Sequence, residues 1–312
     1  MNILVTAIGS MSAQTVLEQL SRIQDSFIIG TDIYPQSWQV NLDLVTKFYQ
    51  LPKAVEESYI NEILKICNTH GIKYLIPLTD PEVDVLSANR IKFENNNIVL
   101  CISGKETITK CRDKIIVEKD FKNISSVNVI PSYSKEEIND EAIYPIIAKP
   151  KNGRSSEGLY MLKNNKWLTI IENKDDYIFQ PYIQGQVITV DVIREKNGKS
   201  VSIARKELTR TSNGAGLTVE VIKKDAMLEH SITTIIDELN IVGCVNLEFL
   251  QKDNTYYLMD INPRFSAGVG FSLFAGYDFV INHLRCFQDE PIADLLSTKE
   301  GILSKKSKII IL

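Results

Sequence analysis

Apolar runs and amphipathic stretches alternate along the first third of the chain. "NILVTAIG" (residues 2–9) is a short apolar run closing on glycine, and "SAQTVLEQLSRI" (12–23) follows with helical spacing. "FIIGTD" (27–32), "IKYLIPLTD" (72–80) and "NNIVLCIS" (96–103) are further strand candidates. Between them, "PKAVEESYINEILKICNTHG" (52–71) sets its apolar residues at helical intervals and stops at a glycine. This β and α alternation predicts a doubly wound parallel sheet. Ligands of such sheets sit beyond the carboxyl ends of the strands, where Asp32 and the group Thr79, Asp80 and Glu82 fall. Capping or turn duty is the ordinary alternative for these residues.

The texture then changes. "TITKCRDKIIVEKDFK" (107–122) reads as one helix with its charges on one side, and "YPIIAKPKNGRSSEGLYML" (144–162) as strand, loop, strand. "DYIFQPYIQGQVITVDVIRE" (176–195) gives two strands around Gly185, which "KSVSIARKELTR" (199–210) continues. "AMLEHSITTIIDELNIVG" (226–243) predicts a helix ending at Gly243, and "CVNLEFLQKDNTYYLMDINPR" (244–264) a hairpin turning at Asp253 and Asn254. Strands, one helix and more strands predict an α+β unit of mostly antiparallel pairing. The tail "SKKSKIIIL" predicts an edge strand.

Composition narrows the class. The chain has 312 residues, 44% hydrophobic and 24% charged, with a net charge of −4, which speaks against wholesale nucleic-acid binding. No apolar stretch reaches the ~18 residues of a membrane span, and the start carries no basic region of a signal peptide, so a cytoplasmic protein is expected. The 5 cysteines (Cys67, Cys101, Cys111, Cys244, Cys286) are scattered and predict reduced thiols. With only 3 histidines, neither a zinc site nor a histidine triad is expected. The first loop, "TAIGSMSAQ", offers one glycine where a dinucleotide fingerprint asks for three. It reads instead as a strand-to-helix turn.

Candidate chemistry concentrates late in the chain. In "YYLMDINPR" the side chains of Asp260, Asn262 and Arg264 are spaced two apart and so share a face on extended backbone, while Pro263 ends regular pairing. If the hairpin pairs across its turn, Glu248 comes beside Asp260. Two carboxylates and an amide oxygen suit Mg²⁺ shared with phosphates, and Arg264 suits bidentate contact with the same phosphate oxygens. Lys149 closes an apolar strand before a loop carrying Gly153, Ser155, Ser156 and Gly158, whose backbone N–H groups can cradle phosphate. The loop does not fit a Walker P-loop. Extended backbone at "IFQPYIQGQ" can pair with an adenine edge, and Arg205 and Arg210 add cations to the same sheet.

Taken in order, these stretches resemble the ATP-grasp superfamily, in particular the carbamoyl-phosphate-synthase-like ATP-grasp ligases. The resemblance spans nearly the whole chain. The family's K-P-x-x-G-x-x-S-x-G loop reads here "KPKNGRSSEG", its E-x-Y-I-x-G-x-E hinge "QPYIQGQ", and its E-x-N-P-R metal strand "DINPR"; Asp113 and Lys114 resemble its first nucleotide-contacting pair. The implied architecture is an N-terminal α/β domain (1–107), a linker helix with the ATP-grasp lid (108–182), and a catalytic nucleotide- and metal-binding α+β subdomain (183–312).

Roles follow from the resemblance. Lys114 and Lys149 would contact phosphates, under a loop from Gly153 through Ser155 and Ser156 to Gly158. Gln180, Tyr182 and Ile183 would line the adenine pocket, with Gln186 near the ribose. Glu248, Asp260 and Asn262 would hold one or two Mg²⁺, which Mn²⁺ can replace. Arg264, Arg205 and Arg210 would stabilise the transferring phosphoryl group. The implied reaction is ATP-dependent joining of a small-molecule carboxylate to an amine through an acyl phosphate, releasing ADP and phosphate, in a protein able to pair as a homodimer. Three positions depart from the pattern: Gln180 and Gln186 stand for glutamates, and Asp260 is one methylene shorter than the usual glutamate. They keep a non-catalytic nucleotide-binding module as the alternative.

Overall fold

The computed structural model describes residues 1–134, 137–139, 142–153 and 157–306. The N-terminal part comprises β1 (Asn2–Val5), α1 (Ala13–Leu20), β2 (Phe27–Asp32), β3 (Lys47–Gln50), α2 (Tyr59–His70), β4 (Tyr74–Ile76), α3 (Asp80–Ala88), α4 (Arg90–Glu94) and β5 (Val99–Leu100). Its strands pair in parallel in the order β3-β2-β1-β4-β5, the doubly wound sheet that the alternation predicts. Successive strand residues serve opposite faces: Ile3 and Val5 pack in one core with α1, while Leu4 joins another with α2. Helix α2 stops at Gly71, which takes the left-handed conformation (φ 57°) suited to glycine. Strand β3, "KFYQ", has no apolar run and was not foreseen. Chain order reverses between β1 and β4, so the loops after these strands diverge and open a crevice.

After this sheet come α5 (Lys105–Arg112), α6 (Lys114–Phe121) and the short strand β6 (Asn128–Val129). The single helix expected over 107–122 is therefore two. Asp113 is extended between them (φ −103°, ψ 108°), and its carboxylate accepts the Ile115 and Ile116 N–H groups as the N-cap of α6. A small antiparallel sheet, β8-β7-β9, is built from β7 (Ile146–Pro150), β8 (Tyr160–Leu162) and β9 (Tyr177–Pro181).

The remaining elements are β10 (Gln186–Arg194), β11 (Ser200–Arg210), β12 (Gly216–Ile222), α7 (Ala226–Glu238), β13 (Gly243–Lys252), β14 (Thr255–Asn262), α8 (Val269–Phe274), α9 (Phe279–Gln288) and β15 (Gly301–Ser304). Their sheet runs β15-β12-β11-β10-β13-β14-β6, antiparallel except where β14 meets β6. Helix α7 ends at Glu238 rather than Gly243, because Asn240 turns left-handed (φ 49°) and Gly243 already opens β13. Leu228, Ile232, Ile235 and Ile236 of α7 pack on Ile188, Val190, Val192 and Leu247 of the sheet. The alternate strand residues, Thr189, Asp191, Arg205 and Glu248 among them, are left to the opposite face. Helix α9 packs on both β13 and α1, in a core common to the two large sheets. Strand β15 forms one edge of this sheet and shares only Ser304 with the tail expected to be an edge strand; residues 307–312 of that tail lie outside the described residues. No described helix is long and apolar enough to cross a membrane.

Candidate active site

The β13–β14 hairpin turns at Asp253 and Asn254 and sets Glu248 directly opposite Asp260, and Asn246 opposite Asn262. A bulge follows Glu248: Phe249 pairs with Leu258, which leaves Met259 as the extra residue. The register continues across the sheet, so that Asp260, Glu248, Thr189 and Arg205 stand in one row over four strands. Beyond Pro263 the chain leaves the sheet. Arg264 therefore does not continue the row; its guanidinium turns to Asp80 at the start of α3, at 2.9 and 2.8 Å, and keeps a 3.4 Å contact with Asn262 Oδ1.

Two lysines face this row from other elements. Lys114, on α6, donates to the Gly153 carbonyl (2.9 Å) and lies 3.5 Å from Asp260 Oδ1. The ammonium of Lys149, on β7, makes no hydrogen bond or ion pair among the described residues. Burial pushes its ammonium down to about 8, with Asp260 opposing the shift and Lys114 adding to it. Burial raises the Glu248 carboxyl; Arg210, 2.9 Å from Glu248 Oε2, counters this, and Asp260 reinforces it. Arg210 is itself held by the Gly214 carbonyl at 2.6 Å.

The donor set fits a shared Mg²⁺. Among the described residues no three His, Cys, Asp or Glu side chains converge as a metal cage. Glu248 and Asp260 supply charged oxygens and Asn262 a neutral one, which leaves further coordination positions for phosphate and water, as Mg²⁺ prefers.

These groups open on one cleft of about 1190 Å³ between the three sheets. It brings together Lys114, Lys149, Gly153, Gln180, Tyr182, Ile183, Arg205, Arg210, Glu248, Asp260, Asn262 and Arg264. Gly158 and Gln186 are not on its wall. Gly158 (φ 67°) packs against Tyr177 and Pro150, where a Cβ would come within 2.9 Å of the Tyr177 hydroxyl. Ser155 and Ser156 lie outside the described residues. The two glutamines have a local reason to be amides. Gln180 Nε2 donates to the Ile130 carbonyl (2.6 Å), and Gln186 Nε2 to the carbonyls of Glu207 (2.8 Å) and Val187 (3.1 Å). A glutamate carboxylate has no hydrogen to give these acceptors.

Arg205 is 1% exposed. Its guanidinium donates to Asp191 (2.7 Å), Ser266 (3.1 Å) and Ser272 (3.3 Å), so the fork expected on phosphate is engaged in the wall behind the cleft. Asp32 does turn duty, accepting the N–H groups of Gly9 (2.9 Å) and Tyr34 (3.0 Å). Glu82 is buried on the cleft wall and accepts the Thr79 hydroxyl at 2.5 Å. Sequence reasoning passed over Asp191, Glu207 and Arg112, which lies 3.5 Å from Asp80 and 3.3 Å from Asp84. Acids set among valines in "TVDVIR" were the available signal for Asp191.

Comparison with known proteins gives the family. An ATP-grasp domain model matches residues 111–268, and a PylC-like N-terminal domain model matches residues 3–101. The carbamoyl phosphate synthase large chain of Saccharolobus islandicus is 22% identical over 280 residues, covering 84% of this chain and 26% of that protein. The chain thus spans about a quarter of the length of the curated relatives it matches. Biotin carboxylase of Campylobacter jejuni, solved as a complex with beta-gamma-ATP, superposes with a TM-score of 0.77 at 19% identity, over 96% of this chain and 74% of that one. The biotin carboxylase domain dimer of Hydrogenobacter thermophilus 2-oxoglutarate carboxylase, solved with MgADP, ADP and bicarbonate, gives 0.79 at 17% identity, over 96% and 73%. With an ATP-grasp domain model matched over half of its length, the chain belongs to the ATP-grasp family.

Proposed function

We propose that this chain is an ATP-dependent carboxylate–amine ligase that works through an acyl phosphate and releases ADP and phosphate. The observation that carries the reading is the cross-strand pair Glu248 and Asp260, with Asn262 beside it and Lys114 and Lys149 facing it. Nucleotide and magnesium in the solved neighbours support the same site. On this reading residues 1–107 form the substrate-side domain, 108–182 the linker helices and the lid, and 183–312 the catalytic half. The dimeric neighbour supports assembly as a homodimer.

The chain's own residues position and neutralise. Lys149 and Lys114 hold phosphate oxygens, and the backbone from Gly153 closes over them. Tyr182, Ile183 and the extended chain at Gln180 flank the base. Glu248, Asp260 and Asn262 would hold one or two Mg²⁺, which would supply neutralisation of the developing phosphate charge. Arg264 and Arg210 reach the γ-phosphate end, and Arg205 fixes the wall there from behind. A substrate carboxylate oxygen attacks the γ-phosphorus and the bond to ADP breaks; the neutral amine nitrogen then attacks the acyl carbon, phosphate leaves with the electron pair, and the proton lost by the nitrogen goes to the departing phosphate. No protein nucleophile takes part. At its N-terminal end the cleft exposes Met11, Ile33, Tyr34 and Val55, an apolar wall for the body of the acid.

Incubation of the protein with Mg-ATP, a pool of ¹⁸O-labelled small carboxylic acids and a pool of amino acids tests the reading. Attack by the carboxylate carries one ¹⁸O into the released phosphate. Labelled phosphate and ADP in equal amounts are expected. Binding of Mg-ATP without ADP release would favour the non-catalytic module.

A further inference from the structure

Glu207 lies on β11 two residues from Arg205, on the wall of the cleft, and is only 7% exposed. Its Oε2 has no hydrogen-bond partner among the described residues. Its Oε1 is 3.4 Å from Arg205 Nε, and that Nε makes no hydrogen bond either. The neighbouring charges are committed elsewhere. Arg205 Nη1 donates to Asp191 at 2.7 Å, Asp191 also accepts the Ser272 hydroxyl at 2.6 Å, and Lys305 Nζ donates to the Ala267 carbonyl at 2.6 Å. A buried carboxylate oxygen without a donor is unfavourable and uncommon, so this atom is placed for a donor that arrives with a ligand.

Missing side chains shape the space around it. A Cβ on Gly216 would lie 2.1 Å from Glu207 Oε2, and a Cβ on Gly268 would lie 2.7 Å from Arg205 Nη2. Glycine at these positions lets the carboxylate rest against β12 and the guanidinium against the loop that follows Arg264. Glu207 is linked to the Ser266–Gly268 loop through Arg205, which lies 3.4 Å from its Oε1 and donates to Ser266, while its backbone carbonyl accepts from Gln186.

Resting on the ligase reading, we propose that Glu207 Oε2 receives the protonated amino group of the amine substrate, with the Ser266–Gly268 loop as the facing wall. An ammonium suits this atom better than a hydroxyl, because a charge-assisted bond is roughly twice as strong as a neutral one and brings a counter-charge into a buried site. The amine is thus gripped at the end of the cleft where the acyl phosphate forms, and the carboxylate takes the ammonium proton that the nitrogen must give up before it attacks.

The test compares wild type with Glu207→Gln, which keeps the shape and replaces the free acceptor by an amide. Both are saturated with Mg²⁺ and a non-hydrolysable ATP analogue, then titrated with the proteinogenic amino acids and with methylammonium, followed by thermal shift and calorimetry. At least one amine is expected to bind wild type and to bind the variant about tenfold or more weakly, with analogue affinity unchanged. Gly216→Ala, which forces the carboxylate aside, should show the same loss. Equal amine affinity in both proteins overturns the assignment, as does a nucleotide-loaded wild type that binds none of the amines. Parallel loss of analogue affinity also overturns it, in favour of a ribose contact. Failure of wild type to bind the Mg-analogue at all would instead sink the ligase reading on which the assignment rests.

Discussion

Arg264 and Asp80 stand 184 residues apart and meet in a two-bond pair of 2.9 and 2.8 Å that joins the end of the seven-stranded sheet to the N-terminal unit. The pair holds the guanidinium 3.4 Å from Asn262 Oδ1 while leaving it on the cleft wall. Arg264→Lys keeps the charge but cannot form the fork. It should lower the rate of ADP formation at least about tenfold and, by loosening a nearly buried pair, cost about 1–3 kcal/mol of stability. Parallel rate and urea-unfolding measurements check both; a lysine variant with unchanged rate would remove the positioning role.

Lys149 gives a proton-linked prediction. Its ammonium is held down to about 8 by burial, so near that pH a large share of the free protein carries it neutral. Phosphate oxygens favour the charged form, and nucleotide binding near pH 8 should draw in about half a proton per site. Calorimetry in buffers of different ionisation enthalpy measures the uptake. Lys149→Met should abolish it; uptake surviving in that variant would mean that another group is responsible.

His283 predicts acid sensitivity. It sits 4% exposed between the Cys244 N–H, which donates to Nδ1 at 2.9 Å, and the Cys101 carbonyl, which accepts from Nε2 at 3.0 Å. Burial holds the ring down to about 4, against 6.5 when unfolded. The folded-state value is depressed, so the contribution is fully present above pH 6.5 and is lost as pH falls towards 4, by about 3 kcal/mol in all. His283→Gln can accept and donate in the same two places without titrating. Its stability should therefore fall less steeply over that window in denaturant melts, and an unchanged slope would be the contrary result.

Restoring the family's usual residue at the hinge should not help. Gln180→Glu removes the donor to the Ile130 carbonyl and sets a carboxylate against it in a buried place. A loss of about 1–3 kcal/mol is expected, with no gain in ADP formation. A more active variant would mean that the amide weakens base binding.

Much of this was readable beforehand, and the misses have physical causes. The hairpin carrying Glu248 and Asp260 announced itself through two apolar strands and an Asp253–Asn254 turn, so its pairing was written locally. Strand β3 was invisible because its four residues are exposed or half-buried at a sheet edge and carry no apolar signal. The break at Asp113 had a signal, since aspartate is a good N-cap, but the amphipathic pattern ran through it. Helix α7 ended early because a left-handed Asn240 did what Gly243 was expected to do. The Arg264–Asp80 pair spans 184 residues, and the Arg205 cluster, though Asp191 and Glu207 lie on the neighbouring strands β10 and β11, is completed by Ser266 and Ser272 at 61 and 67 residues' separation; a single sequence does not encode such contacts as a pattern. Arg205 was expected at the phosphoryl group from the family resemblance; the missing side chain of Gly268 leaves room for its guanidinium in the wall.

The most direct test of the central claim is the melting temperature of wild type and Asp260→Ala with ATP, in the presence of Mg²⁺ or of a chelator. At about 100 times its Kd the nucleotide should stabilise wild type by about 2.7 kcal/mol, a rise of a few degrees. The rise should need Mg²⁺ and should fade in the variant. A rise of equal size in all four conditions would contradict the metal-bridged phosphate site, and no rise with Mg-ATP in wild type would contradict nucleotide binding itself.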